Sequence, residues 1–317
     1  MELPIEDLVP GGTMDSRPAD ASRESGAGDR LSIPVAWLAG LIASNLGVVV
    51  WVTVLGQPSV PIWLGPFELV LLTAVAALMT RRNAPRPLLH YFWMLPAIML
   101  GQIAATAISQ TETWISWARQ VPAVVSFAAA NGLKILPATT LALTFIGSGL
   151  TRQDLFLTIG DLRARLRRGQ TTIRWGALIV IAIPTTTLPV LANVVAVRHP
   201  ELPLSVALTL APIIVFGATA NTLLEEFVFR QGLLARLVPA VGEGHALGIT
   251  SLRFGIGHWF GNPSGPIGVL LATILGVFAA KCMLDCRGSG WVWLLHWIDD
   301  LVIFTVIALT VVYVPGP

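Results

Sequence analysis

A chain of 317 residues with 12% charged and 54% hydrophobic side chains, and a mean hydropathy of +0.73, departs sharply from soluble domains, in which about a quarter of residues are charged. That excludes a freely soluble enzyme and points to a polytopic membrane protein. The net charge of +2 argues neither for nor against nucleic acid; the lipid bilayer is the partner expected first, and no nucleic acid is expected.

Residues 1–32 hold seven acidic and three basic side chains among Gly, Ser, Asp and Pro, without the basic and apolar regions of a secretory signal. This segment reads as a disordered acidic tail. Apolar runs long enough for about 30 Å of hydrocarbon follow at 33–55, 62–80, 88–109, 131–149, 175–196, 204–226 and 291–313. Two more, 245–260 and 266–284, carry glycines and prolines that permit a short, broken or re-entrant helix. The expected fold is an all-α transmembrane bundle of about eight or nine helices, with residues 33–200 as an N-terminal part and 201–317 as a second unit.

Arginine gathers in RRNAPR (81–86) and in the 151–174 loop, which carries six Arg against two Asp. Both loops are expected on the cytoplasmic side, which leaves TETWISWARQVP outside and the N-terminus inside. Leu155, Leu162 and Leu166 recur near helical spacing, so the 151–174 loop is read either as an ordinary positive-inside loop or as an amphipathic helix on anionic lipid. Cys282 and Cys286 lack metal or disulfide spacing and read as two interfacial thiols.

Inside this apolar frame stands NTLLEEFVFR, where each charged group costs about 2.5 to 3.5 kcal/mol near a bilayer centre. On a helix Glu226 and Arg230 share a face and pair as i,i+4, which predicts a structural ion pair. Glu225 points away from Arg230, toward Asn221 and Thr222, and reads as a free carboxylate in a polar cavity. His258 follows Gly255 and Gly257, which let another helix approach closely. His296 has Asp299 and Asp300 three and four residues on, both within reach. His90, His199 and His245 fall at span ends and are assigned no chemistry. A free Glu, two His and an Asp pair are the parts of a hydrolytic site.

In order, these residues spell EExxxR (Glu225, Glu226, Arg230), FxxxH (Phe254, His258) and HxxxD (His296, Asp300). The set resembles the CAAX protease and bacteriocin-processing family of intramembrane endopeptidases over roughly residues 204–313. The resemblance implies that Glu225 is the general base activating a water, that His258 holds the same water, and that Glu226 and Arg230 brace the helix. It assigns His296 and position 300 to the oxyanion. Family members with Asn at position 300 donate a hydrogen bond there; Asp300 must be protonated to do so, or else orients His296. A divalent metal such as zinc on the same Glu/His/His/Asp set is the other reading of the family, although no HExxH is present. The implied partner is a peptide or membrane-protein substrate; the expected place is a bacterial inner membrane, because the sequence shows no organelle address and is rich in Ala, Val and Arg. Prenylated C-terminal tetrapeptides are the substrates of eukaryotic members, whereas bacterial relatives are linked to peptide maturation or bacteriocin self-immunity. The rival classes are a non-proteolytic scaffold or regulator keeping the fold, and a transporter in which Glu225 carries a proton.

Overall fold

The computed structural model describes residues 32–57, 59–168 and 171–310; the expected acidic tail, except Ser32, lies outside them. The first helices are α1 (Ser32–Ile42) and α2 (Leu46–Thr53), bent by 60°. Asn45 between them adopts left-handed backbone (φ 67), so the expected 33–55 span is broken in two. Then come α3 (Leu64–Arg81) and α4 (Arg86–Ser109), joined by the short basic loop. A seven-residue helix α5 (Glu112–Ala118) carries Trp114 and Trp117, and Thr111 caps it by accepting a hydrogen bond from Trp114 N at 3.2 Å.

The expected 131–149 span is displaced toward the N-terminus: α6 (Ala123–Gly132) and α7 (Ile135–Leu143) together make a span of 21 residues. The 123–130 stretch is rich in Ala, Val and Phe and follows a proline, which starts the helix earlier than hydropathy alone suggests. Only Leu133 and Lys134 separate the two segments.

The 151–174 loop forms no amphipathic helix. It is irregular up to a two-stranded antiparallel hairpin, β1 (Arg165–Arg168) with β2 (Thr171–Arg174), in register Arg165 with Arg174. Its leucines do not share a face: Leu155 is buried, whereas Leu162 is exposed. Backbone bonds from Asp161 N to Cys286 O (2.7 Å) and from Ser289 N to Thr158 O (2.8 Å) tie this loop to the turn that follows residue 286. Asp154 in the same loop accepts from the backbone N–H and hydroxyl of Thr151, which hold its carboxyl below the ordinary carboxylate range.

The remaining elements are α8 (Trp175–Arg198), α9 (Leu204–Thr209), α10 (Ala211–Glu226), a π-helical turn (Phe227–Gln231), α11 (Gly232–Val241), α12 (Glu243–Gly257), a 3₁₀ turn (His258–Phe260), α13 (Gly265–Cys286) and α14 (Gly290–Ala308). Among the described residues seven segments are long and apolar enough to cross a membrane, eight if the bent α1–α2 pair is counted as one span. The protein is thus a multi-pass all-α bundle. Residues 265–286 form a full-length helix, so the 266–284 run is no broken span, whereas α12, with 15 residues, is short.

Small residues set the helix contacts that place the site. A Cβ on Gly255 would overlap the Thr273 hydroxyl and come within 2.7 Å of Val269 O, so α12 and α13 pack backbone to backbone only with glycine there. Likewise a Cβ on Gly101 of α4 would lie 2.7 Å from the Leu136 carbonyl carbon, so α7 presses directly on α4. One apolar core joins Tyr91, Leu95, Leu234, Leu237 and Ile249; a second joins Val194, Ile214, Ala218, Phe304 and Ile307. Cys282 and Cys286 are fully buried free thiols in the first core, which corrects the interfacial reading.

Candidate active site

Between the two cores a polar cluster is buried where α7, α10, the end of α12 and α14 meet. Glu226 and Arg230 make the expected i,i+4 ion pair, both fully buried. The guanidinium also lies 4.1 Å above the Phe254 ring, so one cation is balanced by a carboxylate and an aromatic face. The π-helical turn begins at the residue after Glu226, a kind of irregularity frequent at functional sites.

Phe254 is the hub for both histidines. Its ring centroid is 4.4 Å from that of His258 and 6.0 Å from that of His296. His258 Nδ1 bonds the Phe254 carbonyl at 3.0 Å; a carbonyl only accepts, so the proton is on Nδ1 and the Nε2 lone pair is free. His296 Nδ1 donates to Glu226 Oε1 at 2.7 Å, while its Nε2 faces Glu225 Oε2 at 3.4 Å and Asp300 Oδ2 at 3.8 Å. Convergence of Glu225 and His296 is therefore direct, and His258 joins through Phe254.

Two expectations are corrected here. Glu225 is not a free carboxylate: its Oε1 is bonded by the ammonium of Lys134, which precedes α7. Its other oxygen, Oε2, is buried without a hydrogen-bond partner among the described residues. Asp299 and Asp300 do not both serve His296. Asp299 turns to α8, where it accepts from Thr187 (2.7 Å) and Thr186 (3.2 Å). Asp300 accepts on Oδ2 from Asn221 Nδ2 at 3.0 Å and Thr222 Oγ1 at 2.7 Å, both on α10, and the same oxygen lies 3.8 Å from His296 Nε2.

Sequence reasoning missed Lys134 and, as its partners, Asn131 and the amide of Asn221. Nζ of Lys134 lies 2.5 Å from both Asn131 Oδ1 and Asn221 Oδ1. A lone lysine within an apolar run was the available signal. Beside the cluster, a groove of about 440 Å³ is lined by Ile135, Leu224, Phe227, Gln231, Trp293 and Leu157, among others. Leu157 brings the loop to this groove, and Gln231 is fixed there by Ser289 Oγ at 2.6 Å.

The donor set does not suit a divalent metal. Among the described residues no three His, Cys, Asp or Glu side chains stand together as a metal site requires. His296 Nδ1 is committed to Glu226, both acceptor oxygens of Asp300 face α10 donors, and an ammonium already stands on Glu225.

Residues 207–302 match the family described as Rce1-like, type II CAAX prenyl endopeptidase Rce1-like. The matched stretch runs from α9 into α14 and includes Glu225, Glu226, Arg230, Phe254, His258, His296 and Asp300, but not Lys134. No curated protein and no solved structure matches the chain significantly.

Proposed function

We propose, on the premise that residues 207–302 place this chain in the type II CAAX prenyl endopeptidase Rce1-like family, that it is an intramembrane endopeptidase using a glutamate-activated water. The family is a protease family; the residue roles are our reading. The observation that carries them is the placement of Glu225 Oε2, unbonded and buried, 3.4 Å from His296 Nε2. A carboxylate oxygen with no donor of its own is the group that takes a proton from water.

The water's oxygen attacks the peptide carbonyl carbon as Glu225 Oε2 removes one of its protons, and the Nε2 lone pair of His258 accepts a hydrogen bond from the other O–H and aims the water. Charge then appears on the carbonyl oxygen. His296, with Nδ1–H given to Glu226, offers an Nε2–H to that oxyanion. As the C–N bond breaks, the proton on Glu225 passes to the leaving amine. Glu226 and Arg230 hold His296 and the helix in register. The apolar groove beside Leu224 and Phe227 suits a substrate held at the membrane, a peptide segment of an apolar or lipid-bearing chain. The proposed setting is an inner membrane with the basic loops cytoplasmic.

The test is cleavage of a peptide library by the purified protein in detergent, wild type beside Glu225→Gln, with and without a chelator. Cleavage by the wild type, loss of about 10²- to 10⁴-fold in Glu225→Gln and indifference to the chelator are expected. Inhibition by the chelator, or undiminished cleavage by Glu225→Gln, refutes the assignment.

A further inference from the structure

Lys134 lies outside the matched segment, yet among the described residues its ammonium is the one side-chain group hydrogen-bonded to Glu225. An ammonium has three hydrogens, and here each has an acceptor: Asn131 Oδ1, Asn221 Oδ1 and Glu225 Oε1. Two of those acceptors are on α10, so Lys134 clamps the start of α7 to the base-bearing helix. Asn221 extends the clamp, accepting from Lys134 on Oδ1 while Nδ2 donates to Asp300 on α14. Facing Glu225 are Lys134, His258 from the end of α12, and His296 and Asp300 from α14. Of these Lys134 alone is hydrogen-bonded to a carboxylate oxygen of Glu225, and it leaves the other oxygen, which faces His296 Nε2 at 3.4 Å, without a hydrogen bond.

We propose that Lys134 is the positioning residue of the general base: by holding Oε1 of Glu225 it keeps the carboxylate charged and leaves Oε2, beside His296, to take the proton of water. The proposal rests on the proteolytic reading. A buried carboxylate stripped of its cation neutralises rather than remain an isolated charge, and a neutral acid is no base. Lys134 thereby supplies the fixed positive charge that a bound metal would otherwise bring to this carboxylate.

The full-length protein in detergent is used throughout. Where wild type cleaves and Glu225→Gln does not, Lys134→Met is expected to lower kcat about 10²-fold near pH 6 with KM little changed. The deficit shrinks as pH rises toward about 8–9, the range in which a buried glutamate without a cation ionises. Lys134→Arg, which keeps the charge, retains the wild-type pH profile at reduced kcat. Wild-type kcat in Lys134→Met, or a deficit of equal size at every pH, overturns the proposal. A second readout needs no cleavage: the infrared band of a protonated carboxyl at neutral pH, compared between variants. It is expected to grow in Lys134→Met and to fall back in Lys134→Met/Glu225→Gln. No such band in folded Lys134→Met overturns the clamp even if wild type cleaves nothing, whereas the band in a chain that cleaves nothing upholds the clamp and refutes the protease reading alone. Should Lys134→Met fail to fold, Lys134→Gln carries the same comparisons.

Discussion

At the scale of single residues, the site is a set of charges that cannot be removed one at a time. Arg230 and Glu226 are both fully exposed to nothing but protein, so Arg230→Ala strands a buried carboxylate and is expected to cost about 3–5 kcal/mol, read from denaturation in mixed micelles. The double change Glu226→Gln/Arg230→Met removes both charges, keeps an acceptor for His296 Nδ1 and recovers most of that loss; no recovery would mean that the pair contributes more than charge balance. Asp300→Asn tests the acceptor role: Asn221 and Thr222 both donate to Asp300, and one of them would then face an amide NH₂. A cost of about 1–3 kcal/mol is expected, and an unchanged melting temperature would show that these hydrogen bonds carry nothing. The Glu226–Arg230 pair was legible in the sequence because it lies within one helix at fixed spacing. Lys134 was not, because its bond to Glu225 spans 91 positions and no local periodicity reports which helices become neighbours.

At the scale of elements, the reach of two helices brings the motifs to one depth. Full spans in strict alternation put His258 on the face opposite Glu225. The observed segment from Ala211 to Val241 runs for 31 residues, about 46 Å, which leaves Glu225 near its middle, while the 15 residues of α12, about 22 Å, stop His258 short of the far side. Sequence patterning named one escape, a short 245–260 helix; the structure uses it and also continues the motif helix past residue 226. The π-helical turn was beyond its resolution, since one wider turn changes no residue type. The break at Leu133–Lys134 was hidden in the same way: hydropathy averages over a window wider than a two-residue joint. Gly255→Ala is the matching perturbation at this scale. Its methyl group collides with Thr273 and the Val269 carbonyl, so α12 must move off α13 and take Phe254 and His258 with it. A loss of about 1–3 kcal/mol in stability is expected, together with a fall in cleavage larger than that of a distant substitution of equal stability cost. Equal losses in the two variants would deny that α12 positions the histidine.

At the scale of the whole molecule, contacts between loops sort the helix ends into two sets independently of any charge rule. The basic loop bonds the α13–α14 turn through Asp161 and Ser289, and Lys281 near the end of α13 pairs with Glu243 at the start of α12 at 2.8 Å, so these ends share one side. On the other side, Glu201 N and Leu202 N both bond Leu309 O at 3.0 Å, which brings the α8–α9 joint to the end of α14. The proposed orientation puts the arginines of the first set on the cytoplasmic side, and by the count of crossings it puts α5 with its two tryptophans on the far face with Glu201. Labelling with an impermeant maleimide reads this directly, because the native thiols Cys282 and Cys286 are buried and supply no background. A cysteine at the exposed Ile173 is expected to label only after the cell is opened, and one at the exposed Glu112 in intact cells whose outer envelope admits the reagent. Labelling of both from the same side would break the two-crossing path through α4 and α6–α7 on which the placement of α5 depends; labelling with the sides exchanged would keep the fold and invert the bundle, so that substrate would enter the groove beside Leu157 from outside the cell.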